Sequence, residues 1–570
     1  MEKNEKFIFN QNILQILDSL NNQKRFFRME TEKKIWFYDS FSHGLYSINK
    51  VFWKLVEEKS DNASEIFAEL SLEDLAKVIG FFSAIYKCKS DYVNPLEPDT
   101  KCSVMINTSN RCNLNCSYCY RNKNDICLNN IETVKKTMDF AMKKFRPDAS
   151  EYVISYSMTS ESSVDLDLLK QIAEEYINYE NYQFISDDIF TEKIDEFYER
   201  LNEELFLRIK KNNLQIKIPE KTKESLVEFL NKLLELRNLY DLLHVTDRMF
   251  NDDAKYQIKK RDVCTKWKLF RINRWCLEVI YDEYIEKRHV PYVTFWFMSN
   301  GTCASPDFMD FIKACDISPF WISIDGPEQV HNHNRRMNDG NGSYERLLKN
   351  IEIFKENGIK LKASSVITSY YPRPLEIIRH LQKIGFSEVS MTPVRPGTEC
   401  SFSSDTIKQL LDGYDCVFEE LKRNSLNEDF SLFRFLKEDL TLAAFNIFAG
   451  RIKLLKRCAF DEQIVVNSKG EIYPCLYFVG NKDFCYGNID SEIESQKINH
   501  DILVEHRGEC SDCWARYLCS GTCFYGSFVS TGDYRNIDPV ECVLKKHLAE
   551  KCLELIVFLK ENDISIERVY

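Results

Sequence analysis

Cys112, Cys116 and Cys119 stand in the run Arg111-Cys-Asn-Leu-Asn-Cys-Ser-Tyr-Cys-Tyr120, a CxxxCxxC triad just after the apolar stretch Val104-Met-Ile106. Three thiols this close can converge on one inorganic site, one ligand short of the usual four. Thiolates suit iron–sulfur clusters, and a missing ligand leaves one iron open to a small molecule. Structural zinc draws its four ligands from paired CxxC or CxxC/HxxxH spacings, which this run lacks.

A second constellation lies near the C-terminal end. Cys458 is followed by eleven residues and Gly470, then by four and Cys475. Next come Cys510-x2-Cys513-x5-Cys519-x3-Cys523, and later Cys542. A zinc ribbon would use Cys510, Cys513, Cys519 and Cys523 and leave Cys458, Cys475 and Cys542 idle.

The composition says where such thiols belong. The chain has 570 residues, 44% of them hydrophobic, enough for several domains with sizeable cores. Its start mixes acids and bases and has no apolar h-region, and no apolar run reaches the length of a membrane helix. The 21 cysteines are therefore expected in reducing cytoplasm, where metal and redox roles outrank disulfides. A net charge of −12 disfavours a binder of nucleic-acid phosphates. Neither nucleic acid nor membrane is an expected partner.

The elements that must position the triad follow an alternating rhythm. Strands are expected at 102–107, 151–158, 292–298, 320–324, 361–368 and 388–392. Helices are expected at 131–144, 165–176, 343–357 and 374–384. Such alternation implies a parallel sheet with its chemistry at the strands' C-terminal ends. Before it, residues 1–98 read as an α/β extension with a strand at 33–38 and helices at 48–59 and 72–86. Asn94-Pro-Leu-Glu-Pro98 reads as a linker. Residues of about 180–290 are charged and helical, with segments at 223–239 and 267–286, and read as an insertion.

An Asn-rich loop with an aromatic residue before the last Cys resembles that of radical S-adenosylmethionine (SAM) enzymes. The seven later cysteines resemble the SPASM module, which carries two auxiliary [4Fe–4S] clusters. The resemblance implies a partial (β/α)6 TIM-like barrel over 99–400 with its helical insertion. A helical connector over 401–456 and a cysteine-rich SPASM domain over 457–570 complete the α/β fold. Residues 1–98 would hold the leader of a precursor peptide or pack as an extension. The implied cofactors are SAM and three [4Fe–4S] clusters: one on Cys112, Cys116 and Cys119, one on Cys458, Cys475 and Cys523, and one on Cys510, Cys513, Cys519 and Cys542. The eighth auxiliary ligand is either Cys485 or absent, leaving an iron open.

The same resemblance implies a SAM pocket. Tyr118 is the aromatic residue of the loop. Met158-Thr-Ser-Glu-Ser162 stands where the superfamily has Gly-Gly-Glu-Pro, so Thr159 and Ser160 replace glycines and Glu161 is retained for the SAM ammonium. Asn300, Ser323 and Asp325 match segments that approach the ribose and methionine carboxylate. Arg335 of His331-Asn-His-Asn-Arg335 would pair with that carboxylate, and Thr368 would lie near the adenine. His331 and His333 are assigned structural roles, since i,i+2 spacing does not bring two ligands together.

The implied reaction is hydrogen abstraction from a ribosomally made peptide by a 5′-deoxyadenosyl radical, with an electron donor of the flavodoxin or ferredoxin type. SPASM enzymes divide into branches. Sulfatase maturases have an acid after the cysteine that Cys475 matches; here Leu476 stands there, and it accepts no proton. The run Phe478-Val-Gly-Asn-Lys-Asp-Phe484 looks more like thioether-forming maturases of ribosomal peptides. A Cys thioether cross-link is the expected product. Formylglycine formation, carbon–carbon or carbon–oxygen cross-linking, and a non-catalytic iron–sulfur carrier or scaffold are the alternatives. Tyr477 and Asp483 are possible general bases, with no physical case for either.

Overall fold

The computed structural model describes residues 25–58, 101–106, 111–120, 130–146, 151–156, 161–177, 292–314, 320–458, 462–491 and 502–566, with isolated positions between them. Thr159, Ser160, the 180–290 insertion and most of the helix expected at 72–86 lie outside the described residues.

A small antiparallel sheet opens the described chain: β1 (Phe26–Glu30), β2 (Lys34–Asp39) and β3 (Gly44–Asn49). The helix expected from residue 48 starts instead at Lys50 and runs to Glu58. Ile48 is claimed by its strand pairing with Ile35, and the Asn49 side chain accepts the Val51 N–H at 2.9 Å, which ends the strand and starts the helix. A short strand, β4 (Asn94–Pro95), follows and later pairs with the chain around residue 452.

β5 (Lys101–Ile106) begins the main sheet, and β6 (Leu114–Cys116) is the short strand of the cysteine loop. The sheet continues with β7 (Glu151–Tyr156), β8 (Tyr292–Ser299) and β9 (Phe320–Ser323). β10 (Arg335–Met337) leaves it to pair antiparallel with β6. β11 (Leu361–Ile367) and β12 (Glu388–Pro393) complete one edge. The strands β5, β7, β8, β9, β11 and β12 lie side by side in sequence order and all run parallel, so the crossovers wind in one sense. The expected α/β alternation is borne out. Buried Cys102, Val104, Ile106, Tyr152 and Ile154 show why these strands read as apolar runs.

Helices between the strands bury one face. Tyr344–Glu356 turns Leu347, Ile351 and Phe354 inward at i, i+4 and i+7. Pro374–Ile384 starts on a proline and ends where Gly385 takes φ of 96°, as its sequence demands. The helix expected at 131–144 is α-helical over Ile131–Phe140 and widens into a π turn over Ala141–Phe145.

The last part of the chain returns to this sheet. β13 (Ile452–Lys453) pairs with β4, and β14 (Gln463–Val466) lies parallel to β5 on its free side. β15 (Glu471–Tyr473) and β16 (Gly487–Asn488) extend it antiparallel. The helix Pro539–Glu561, capped by Asp538, then packs along the helix Ile407–Leu426, where His547 Nε2 meets Asp415 at 2.7 Å. One hydrophobic core runs from the parallel strands into this helix pair through Leu410, Val417, Leu548 and Leu555. Among the described residues no helix is long and apolar enough to cross a membrane.

Candidate functional site

The triad loop emerges beyond the C-terminal end of β5 and is pinned from the opposite side by the segment around β10. Cys116 sits in register with Arg335, and the Ser117 N–H donates to the Asn334 carbonyl at 2.9 Å. Asn338 donates its amide to the Cys112 carbonyl at 2.9 Å. Cys112, Cys116 and Cys119 are all partly buried and reduced. Cys112 Sγ accepts from the Leu114 N–H at 3.4 Å and from Asn300 Nδ2 at 3.7 Å. Burial pushes the Cys116 thiol up to about 12, against the pull of Arg335; Asp325, Cys119 and Cys112 push it the same way as burial. A thiol so placed ionises only when a metal takes its proton's place.

Of the sequence-identified pocket residues, Asn300, Asp325 and Arg335 meet this loop. Asp325 is fully buried and accepts from the Tyr118 hydroxyl at 2.7 Å, Arg335 Nε at 3.0 Å and the Val366 N–H at 3.1 Å. The Arg335 guanidinium also lies over the Tyr118 ring at 5.4 Å. Asn300 fixes the loop through Asn113 Oδ1 at 2.8 Å, and its own Oδ1 accepts from Thr302. Ser323 is buried at the end of β9. Thr368, after β11, is buried with its hydroxyl unpartnered among the described residues, as is the side-chain oxygen of Asn334. Such unpartnered buried polar atoms are ones that a polar ligand would satisfy.

Glu161 is held by neighbouring protein groups. Its carboxylate accepts from the Ser299 hydroxyl at 2.5 Å, the Asn300 N–H at 2.8 Å and the Ser163 hydroxyl at 2.9 Å. It pins the end of β7 to the end of β8, and its observed partners are all protein groups. Burial raises its pKa against those bonds. His331 is buried; its Nδ1 accepts from the Asp325 N–H at 3.4 Å and its Nε2 meets Ser343 Oγ at 2.9 Å. Since Ser343 gives its own proton to the Arg335 carbonyl, the histidine donates from Nε2 and is neutral. His333 stacks on Tyr370 at 3.8 Å. Both histidines are structural.

The seven later cysteines fall into two electrostatic groups. Cys475 feels Cys523 and Cys458, and burial pushes it up to about 12. Cys510 feels Cys519, Cys513 and Cys542, and burial likewise takes it to about 12. Cys485 belongs to neither group: its thiol donates to the Gly487 carbonyl at 3.5 Å. Among the described residues no three His, Cys, Asp or Glu side chains converge at single-ion spacing. A cubane distributes its thiolates over separate irons and takes a wider arrangement.

Some surrounding residues were missed by sequence reasoning. Arg395 and Arg457 both approach Glu541 at 3.5 Å, and Glu541 accepts the Cys523 N–H at 2.8 Å. Lys545 is buried and donates to the carbonyls of Cys519 and Gly521, each at 2.7 Å. Arg457 and Glu541 each precede a motif cysteine, a signal that adjacency offered; Arg395 had none. The rings of Tyr120 and Tyr477 meet at 4.3 Å, and Tyr477 stacks on Tyr525 at 4.9 Å, joining the triad loop to the later cysteines. A cavity of about 420 Å³ runs along β12 to Arg395, bounded by Arg457, Asp538, Glu541 and Leu544.

No family profile matches the chain. A serine-type anaerobic sulfatase-maturating enzyme of Bacteroides thetaiotaomicron is 22% identical over 315 residues, 47% of this chain and 74% of that protein. The radical SAM cyclopropyl synthase TigE of Paramaledivibacter caminithermalis is 20% identical over 405 residues, 69% of this chain and 75% of that protein. Native anSMEcpe, solved with AdoMet and the Kp18Cys peptide, superposes with a TM-score of 0.50 at 14% identity over 81% of this chain and 99% of its own, a likeness of fold. The resemblance to radical SAM peptide maturases read from the motifs is borne out by these relatives.

Proposed function

We propose that this chain is an enzyme that modifies a peptide by radical chemistry, with SAM held over a [4Fe–4S] cluster on Cys112, Cys116 and Cys119. The observation that carries the reading is the triad itself. It is pinned beyond the ends of parallel strands, with Asn300, Asp325 and Arg335 bonded to or paired with its residues. Relatives that mature sulfatases or make a cyclopropyl group support the same reaction class. When bound, the cluster and SAM supply a radical able to take hydrogen from an unactivated C–H bond. The chain's own part is to fix the loop through β6 and β10 and to keep Asp325 and Arg335 paired beneath it.

Two auxiliary clusters complete the proposal, one on Cys458, Cys475 and Cys523 and one on Cys510, Cys513, Cys519 and Cys542. The mutual influence within each group supports this division. Cys475 packs with Phe460, Phe478 and Phe524, and Cys510 is buried with Val504 and Tyr517, surroundings that suit permanent inorganic groups. A precursor peptide is the proposed substrate, the cavity along β12 the proposed room for its reacting segment, and a flavodoxin or ferredoxin the electron donor in the cytoplasm. Residues 1–98, 99–400, 401–456 and 457–570 are the proposed units.

The proposed product is a Cys thioether. Leu476 supports it, since this side chain packs with Val465 and Tyr473 in an apolar cluster and offers no base. Sulfatase maturation is the second reading, favoured by the relatives' names. Reconstituted protein given SAM and dithionite is expected to release 5′-deoxyadenosine; none released overturns the enzyme. Co-expression with the neighbouring small peptide is expected to remove two hydrogens per cross-link by mass spectrometry. An unchanged peptide together with a sulfatase Cys or Ser converted to formylglycine reverses the ranking.

A further inference from the structure

Around Cys458 and Cys523 three cations, Arg395, Arg457 and Lys545, face two carboxylates, Glu541 and Asp538. Arg395 and Arg457 share Glu541, each at 3.5 Å. Glu541 also takes the Cys523 N–H at 2.8 Å, so its oxygens serve three donors. The Nε atoms of Arg395 and Arg457 are buried and have no partner among the described residues. Leaving a buried donor unanswered is costly, so two around one carboxylate ask for an acceptor.

Arg395 also hydrogen-bonds the Tyr477 side chain, and the cysteines are the further anionic groups beside both arginines. Among charged groups, Cys458 feels Arg457 first and also Arg395, while Arg395 feels Cys523 ahead of Glu541. Both arginines therefore approach the same cysteine group from the side of the cavity along β12. Arg507 is a useful contrast. It too is buried, beside Cys510, yet its donors go to the carbonyls of Thr522 at 2.8 Å and Asn536 at 2.9 Å and to Ser527 at 3.2 Å. Its charge is spent on holding loops together.

We infer that Arg395 and Arg457 set the reduction potential of the auxiliary cluster on Cys458, Cys475 and Cys523 by offering guanidinium N–H groups to its sulfurs, with Glu541 as the opposing charge. Hydrogen bonds and net charge at the sulfurs are the protein's means of moving such a potential. Positive donors stabilise the reduced, more negative state, so they raise the potential; the carboxylate lowers it. The inference rests on the cluster reading above. It adds positioning residues that the cysteine motif does not contain.

The test is an EPR-monitored redox titration of the reconstituted full chain, with Cys112, Cys116 and Cys119 changed to Ala so that only auxiliary signals remain. Arg395→Gln and Arg457→Gln are each expected to lower one cluster's potential by about 59 mV or more, a tenfold change in the one-electron reduction constant, at unchanged iron content. Glu541→Gln is expected to raise the same potential, and Arg457→Lys to recover part of the loss. Unchanged potentials with iron retained overturn the inference, as does a shift in peptide KM alone, which assigns the pair to substrate. Should Arg457→Gln lose iron, the wild-type holoenzyme decides. Its reduced auxiliary signal is expected to show strongly coupled protons that exchange in D2O, and their absence overturns the inference. No auxiliary iron in the wild type overturns the cluster reading, and this inference with it.

Discussion

The two cysteine-bearing regions hold their thiols by different means. The triad rests on backbone pairing, β6 with β10, and on one buried ion pair, Asp325 with Arg335. Of the later cysteines, Cys475, Cys510, Cys513 and Cys519 pack in aromatic and aliphatic clusters, and cations surround the group: Arg457 and Arg395 beside Cys458, Lys546 beside Cys513 and Cys542. The first arrangement is a polar recess on a framework that stands by itself, as an exchangeable ligand such as SAM requires. The second brings seven thiols together in the last part of the chain, the arrangement that the proposed auxiliary clusters would staple.

The largest effect expected from this contrast is on folding. Cys510→Ala should release its cluster and unfold the C-terminal module, seen as lost iron and a strongly lowered Tm. Cys116→Ala should abolish 5′-deoxyadenosine formation and lose one cluster's iron while leaving Tm nearly unchanged. Equal damage to Tm from both would break the comparison.

A smaller effect sharpens what the triad's framework depends on. Asp325→Asn leaves Arg335, only 8% exposed, without its counter-ion. Removing one partner of a buried pair costs about 3–5 kcal/mol, measurable by urea unfolding. Replacing both, as Asp325→Asn with Arg335→Met, should cost less than the single change. A single change costing under about 1 kcal/mol would show that the β6–β10 pairing alone carries the recess.

Acid should find the same framework. Burial lowers the His331 pKa from its ordinary value to about 4. The unfolded chain then binds the proton first, so stability is full above about pH 6.5 and is lost as pH falls toward 4. The share of His331 is roughly 2 kcal/mol by pH 5. Asp439, raised by burial to about 6, regains stability over part of that range and offsets some of the loss. His331→Gln should flatten the pH dependence of urea unfolding between pH 7 and 5; an unchanged slope would remove His331 from the account.

What the sequence disclosed and what it hid follow the same division. Cysteine spacing is local, and strand–helix alternation is written in apolar periodicity, so the cysteine groups and the parallel strands could be read directly. The partners of a buried side chain come from distant segments. Glu161 is recognised by its place after a strand, but the Ser299 and Asn300 groups that hold it come from another strand's end. Arg395, some 60 positions before Cys458, has no motif to announce it, and only folding brings it there. The start of the helix at Lys50 was missed for a smaller reason: Ile48 fits both periods, and the pairing with Ile35 decides.

The smallest expected effect lies where the two regions touch. Tyr120 follows the last cysteine of the triad, Tyr477 lies two residues after Cys475, and their rings meet at 4.3 Å with planes 46° apart. Tyr477 is backed by Tyr525, two residues after Cys523, at 4.9 Å and 27°. Aromatic pairs of this geometry contribute about 0.5–1.5 kcal/mol beyond the area they bury. A double-mutant cycle with Tyr120→Leu and Tyr477→Leu, read by urea unfolding of the reconstituted enzyme, should return a coupling in that range. Because Tyr477 is held between both rings, Tyr477→Leu should cost more than Tyr120→Leu. Zero coupling would mean that the polar recess and the metal-stapled core are energetically separate and only share a sheet. A measured coupling would mean that loss of the later clusters loosens the loop that holds the triad, so that the two means of holding thiols are not independent.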